Sequence, residues 1–134
     1  MLRRTLLSLA VSVLVLGCGD DDPASPAPVL TGTWNLVTVS GQPLPFTLPG
    51  TNEVVTAESF TILSTGRFTM STTFRFTING QVTSESIPDG GTYVVNGSTV
   101  TFKYDSDGST DVAAVNGNTM TLEDIGQVWT YRRN

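Results

Sequence analysis

The amino-acid sequence predicts an all-β protein, an antiparallel up-and-down meander closed into a small barrel. Threonine, valine, phenylalanine, isoleucine and tyrosine dominate from about residue 29 onward, apolar residues alternate with polar ones, and glycine or Asn-Gly recurs at short intervals. No window carries a helical apolar stripe. A period of two with frequent turn residues is the signature of strands that pair with their sequence neighbours.

Residues 33–39 form the first candidate strand and residues 53–63 the second. The clearest is 67–78, in which Phe68, Met70, Thr72, Phe74, Phe76 and Ile78 share one parity while Arg67, Thr69, Ser71, Thr73, Arg75 and Thr77 share the other. One face therefore belongs to a core and the other to water. Asn79-Gly80 supplies the residues of a type I′ turn, and the chain returns through 81–87. Similar punctuation at Asp89-Gly90-Gly91, Asn96-Gly97, Asp107-Gly108 and Asn116-Gly117 separates further candidates at 92–95, 98–104, 109–115 and 119–123, with 128–132 last. Nine candidates are awkward for a closed meander, because first and last strands would meet parallel. Eight is the preferred count, with one candidate a bend in a longer strand; nine or ten are the other counts. An unclosed sheet would leave long edges exposed.

Before this domain, Arg3-Arg4 and an apolar run from about Leu6 to Leu16 have the form of a signal peptide, and the run is shorter than the ~20 residues a spanning helix needs. Cys18 is the only cysteine and follows Val15-Leu16-Gly17. Val15-Leu16-Gly17-Cys18 resembles the lipobox of bacterial lipoproteins, which implies cleavage after residue 17 and a covalent lipid on Cys18. Residues 18–28, acidic and proline-rich, read as a tether of about 30 Å when extended. Gly19 stands where enteric inner-membrane lipoproteins carry aspartate, so the resemblance implies the outer membrane, with the domain facing the periplasm or cell surface. Residues 29–134 are the folded domain.

Without the signal peptide the chain has five basic and twelve acidic side chains, a net charge of −7, and nine acids against five bases lie in the domain, a net −4. No basic run or stripe offers a nucleic-acid or anionic-lipid surface. Histidine is absent and the one thiol is assigned to lipid, which leaves no imidazole or thiol chemistry and no usual zinc ligand. No Gly-x-Ser-x-Gly elbow or phosphate loop is present. Glu53, Glu58, Glu85, Asp89, Glu123 and Asp124 read as solvated groups near strand ends or on outward parities. The reading is a non-enzymatic domain without a cofactor, taken as a monomer.

Thr31-Gly32-Thr33-Trp34-Asn35 resembles the Gly-x-Trp opening of the lipocalins and intracellular fatty-acid-binding proteins, and Trp129-Thr130-Tyr131-Arg132-Arg133 resembles their last strand. The order of Gly91-Thr92-Tyr93, Asn96-Gly97-x-Thr99-Val100 and Asn116-Gly117-Asn118-Thr119-Met120 is similar to that of lipocalin-like domains in bacterial lipoproteins. The resemblance implies that Trp34 plugs one barrel end beneath Arg132 or Arg133. An Arg-x-Tyr carboxylate grip is missing, and so are the long C-terminal helix of true lipocalins and the helix pair of fatty-acid-binding proteins.

The candidate barrel-lining residues are Trp34, Phe60, Phe68, Met70, Phe74, Phe76, Phe102, Tyr104, Met120, Leu122, Trp129 and Tyr131, with Thr72 as a polar point among them. They serve either of two functions. In one, the barrel holds a small hydrophobic ligand; in the other, its own side chains fill it and its loops meet an envelope partner. The filled barrel is the slightly favoured reading of the interior. The apolar, proline-rich loop 41–52 packs against the outside or covers a mouth. Asp105, Asp107 and Asp111 around Gly108 are a weak calcium candidate, for which a polar hairpin tip is the simpler account.

Overall fold

A computed structural model describes residues 26–134; the signal peptide, Cys18 and most of the tether lie outside the described residues. In chain order the strands are β1 Gly32–Val39, β2 Gln42–Pro43, β3 Phe46–Thr47, β4 Val54–Ile62, β5 Arg67–Ile78, β6 Gln81–Asn96, β7 Thr99–Tyr104, β8 Thr110–Asn116, β9 Thr119–Asp124 and β10 Gln127–Arg133. All pairings are antiparallel, and β1 bonds both β10 and β4. Closure thus runs through eight strands, β1, β4 to β10, with β2 and β3 as short additions from the loop after β1. No helix occurs among the described residues.

Eight strands result because the candidates at 81–87 and 92–95 are one continuous strand, β6. Asp89-Gly90-Gly91 is therefore not a turn. A Cβ on Gly91 would lie 1.9 Å from the Lys103 carbonyl oxygen, and one on Gly90 would lie 2.8 Å from that of Phe68. These glycines let the strand pass close between β5 and β7 where the barrel bends.

The turns also differ in detail from the expected Asn-Gly pairs. Asn79-Gly80 has both residues at positive φ, as a type I′ turn requires. In the next hairpins Asn96 and Asn116 end their strands, and Gly97 and Gly117 stand first in two-residue turns with positive φ, the type II′ pattern. The β9–β10 turn is Ile125-Gly126, with Ile125 at φ 46°.

Two bulges shift the alternation. Between Leu36 and Thr38 in β1, inward parity passes from Trp34 and Leu36 to Val39; between Val55 and Ala57 in β4, it passes from Val55 to Glu58, Phe60 and Ile62. The core is aromatic at its centre. Phe60 packs on Phe68, Phe102 and Tyr131 with ring centroids 5.6, 5.0 and 5.3 Å apart, and Phe68 also meets Phe102 and Tyr104. Tilted and edge-on contacts of this kind are the favoured arrangement for aromatic pairs. Loop 41–52 contributes to this core, since Leu48 is buried and Leu44 and Phe46 pack against it.

Candidate functional site

The two barrel ends are built differently. At the end where β1 begins, Trp34 is fully buried and its indole Nε1 donates to the Leu30 carbonyl at 2.7 Å. The Arg133 guanidinium carbon lies 5.3 Å from the centre of the Trp34 ring. Its two terminal nitrogens donate to the Val29 carbonyl and, at 2.7 Å, to Asn118 Oδ1. Arg132 points outward and is exposed, so the partner of Trp34 is Arg133. Strand alternation makes the choice: Tyr131 is inward, Arg132 outward, and Arg133 again on the inner side, just past the rim.

Between the ends, the candidate lining residues Phe60, Phe68, Phe102, Tyr104, Met120, Leu122, Trp129 and Tyr131 are buried, and Met70 and Phe74 are partly buried against them. Phe76 lies beyond this cluster, on the part of the β5–β6 hairpin that projects past the barrel. Near the other end the buried side chains leave a small, partly open cavity of about 50 Å³, lined in part by Glu58, Tyr104, Asp111, Asp124 and Tyr131.

This mouth is acidic, which sequence reading missed for Glu58, whereas Asp124 is the exposed strand-end charge expected of it. Glu58 is half-buried on the inward parity of Phe60, accepting from Tyr131 Oη through one oxygen and from Thr72 Oγ1 at 2.6 Å through the other. Thr72 is thus a polar point of the interior, buried and bonded to a carboxylate. Burial pushes the Glu58 carboxyl above its ordinary range; the two hydroxyls oppose this, and the charges of Asp124 and Asp111 add to it. Asp111 accepts from Tyr104 Oη at 2.9 Å and is also raised by burial. Both tyrosine hydroxyls are pushed up, first by burial and then by the neighbouring carboxylates.

The calcium candidate does not assemble. Asp105 pairs with Arg67 at 2.5 Å on the surface, Asp107 Oδ1 accepts from the Ser109 amide at 2.8 Å, and Asp111 turns inward to Tyr104. Among the described residues no three acidic side chains are placed to hold a metal ion.

Beside the mouth the hairpin carries an open groove of about 370 Å³ lined by Glu53, Phe74, Phe76, Glu85 and Ile87. Larger shallow depressions lie on the outside, one of them where residues 26–29 cross Asn116 and Arg133, away from the interior.

Residues 30–122 match the family model of the lipocalin-like domain. The chain belongs to the lipocalin-like domain family. The match runs from Leu30, which caps the Trp34 indole, to Leu122 in β9, and β10 then closes the lipocalin-like barrel on β1. Domains of this family are generally non-enzymatic, and the fold supports binding of hydrophobic ligands. No curated protein matches the chain.

Proposed function

We propose that this lipocalin-like protein is a lipid-anchored component of the bacterial cell envelope that acts by surface contact with a partner, not by catalysis or by carrying a ligand inside its barrel. The observation that carries the reading is the filled interior. A drug-sized ligand needs a pocket of roughly 300–1,000 Å³, against a partly open cavity of about 50 Å³. With lipid on Cys18, the tether would meet the domain beside Trp34 and Arg133, since Val29 and Leu30 are fastened there. The mouth and the β5–β6 hairpin would then face away from the bilayer.

Native mass spectrometry of the delipidated chain purified from its own host tests the filled barrel. The expected result is the bare polypeptide mass; a stoichiometric apolar molecule released by solvent extraction, with shifted resonances for Phe60, Phe102 and Met120, would overturn it. For the anchor, Cys18→Ser should abolish acyl labelling and membrane partitioning, and unchanged labelling would sink that assignment. A second reading is favoured by the groove beside Phe74 and Phe76. There a small hydrophobic ligand would sit on the hairpin at the mouth, outside the barrel proper.

A further inference from the structure

Strand β6 has sixteen residues, but it pairs with β7 only from Gly91 to Asn96. The Asp105 amide bonds the Gly90 carbonyl at 2.9 Å, and from Asp89 back to Gln81 the backbone pairs with β5 alone among the described residues, while the Asp89 carboxylate accepts from Ser106 Oγ at 2.8 Å. Backbone direction alternates along an antiparallel strand. Because the Gly90 carbonyl points away from β5, the residues of the same parity, Val82, Ser84, Ser86 and Pro88, direct their backbone groups outward too. They present four carbonyls and three N–H groups, since proline has none. The register with β5 is unbroken from Ile78↔Gln81 to Arg67↔Thr92, so no bulge twists this edge away. Natural sheets usually disable such an edge with charged side chains, proline, bulges or a covering segment; Pro88 and the Glu85 charge are the devices on this one.

Opposed residues in β5 and β6 share a face, and the pairs Thr72↔Ile87, Phe74↔Glu85 and Phe76↔Thr83 put both phenylalanines beside the edge. Ile87 is half-exposed there, and the ionisable groups lining the groove are the acids Glu53 and Glu85. Arg75, paired with Ser84, stands on the opposite face. A second copy of this edge would bring another acidic rim against the first, whereas a cation placed across from Glu85 is complementary to it.

We propose that the free edge of β6 over residues 82–88 accepts an extended basic segment of a partner protein as an added antiparallel strand, with apolar side chains beside Ile87 and Phe76 and a basic one against Glu85. This rests on the surface-contact reading and names the partner's chemistry. Main-chain pairing supplies affinity in such strand addition and the alternate side chains supply specificity.

The test uses residues 18–134 carrying Cys18→Ser, and two synthetic peptides, Val-Thr-Lys-Thr-Val-Thr-Lys-Thr and its counterpart with Glu in place of Lys. The lysine peptide should shift the amide resonances of Val82, Ser84 and Ser86 and weaken with added salt. Ser84→Pro removes one outward N–H and no bond to β5; it should weaken binding about tenfold, as expected for losing a strand-pairing bond. Should that variant unfold, Glu85→Lys serves instead and should favour the glutamate peptide. No binding of the lysine peptide at millimolar concentration, equal binding of both peptides, or binding unaffected by the variants overturns the proposal. So does self-association through this edge, seen by sedimentation and abolished by Ser84→Pro. A small apolar molecule shifting only Phe74, Phe76 and Ile87 side chains would replace the strand with the second reading. Shifts at Phe60 and Met120 would instead mark failure of the filled-barrel reading itself.

Discussion

One end of this barrel is closed by a single well-connected plug, and the other ends in a half-buried acidic cluster beside a projecting hairpin. At the plug, Trp34 and Arg133 answer each other and tie down Val29, Leu30 and Asn118. At the mouth, Glu58 and Asp111 keep charged groups partly out of water, each held by tyrosine hydroxyls. The contrast teaches that one end is closed by interlocking contacts, and the other retains polar and unpaired surface that folding alone does not require.

The strongest way to break the comparison is Trp34→Ala. It empties a fully buried site, leaves the Leu30 carbonyl without its donor and removes the ring beneath Arg133, so chemical denaturation should show a loss of about 3–5 kcal/mol. A loss below about 1 kcal/mol would mean the plug is not where stability resides. Gly91→Ala comes next, because the new Cβ would meet the Lys103 carbonyl at 1.9 Å. The strand must shift, at a cost of about 1–3 kcal/mol for overpacking, read from the same unfolding curves.

Glu58→Gln sharpens the mouth half of the comparison. The carboxyl titrates higher in the fold than in the unfolded chain, so the folded state binds the proton more tightly. Its contribution is therefore most favourable below the ordinary value of 4.5 and declines as pH rises through the folded value. The amide variant should unfold at higher urea concentration than the wild type at neutral pH, with a shallower decline across the acidic range; Asp111 leaves a residual slope of the same sign. Equal midpoints at all pH values would show that Glu58 carries no buried charge.

Ile125→Asn should stabilise by about 0.5–1 kcal/mol, because a β-branched residue at φ 46° is strained and asparagine tolerates that region. Thermal unfolding checks the sign. Ile78→Ser, at a half-exposed site near the hairpin tip, should change stability by no more than about 0.5 kcal/mol. A larger loss would make the hairpin part of the core.

Much of the barrel was legible because alternation and turn residues report strands directly. Arg67 to Ile78 appears as one strand in both readings, and the Asn79-Gly80 turn follows as expected. Gly90-Gly91 misled because the same residue type serves turns and close backbone passage, and only the neighbouring carbonyls distinguish the two. Glu58 was hidden by the bulge after Val55: counted from Val55 it faces out, counted from Phe60 it faces in. That second count is available in the sequence, since Phe60 is a candidate lining residue and Glu58 stands two places before it. Ile125-Gly126 gave no turn signal because its first residue contradicts the usual chemistry of positive φ. The open edge of β6 was invisible for a different reason. It depends on β7 being shorter than β6, and relative strand lengths emerge only once β6 is seen to be continuous.

The fastening of Val29 and Leu30 to Arg133 and Trp34 also has a mechanical meaning. Tension arriving from the N-terminal side enters along β1, which is bonded to β10 on one flank and β4 on the other. Such a load shears two ladders together, instead of peeling one strand open bond by bond. A pull from the tether is thus carried first by β1 between its two flanking ladders, and reaches the hairpin only through the sheet between them.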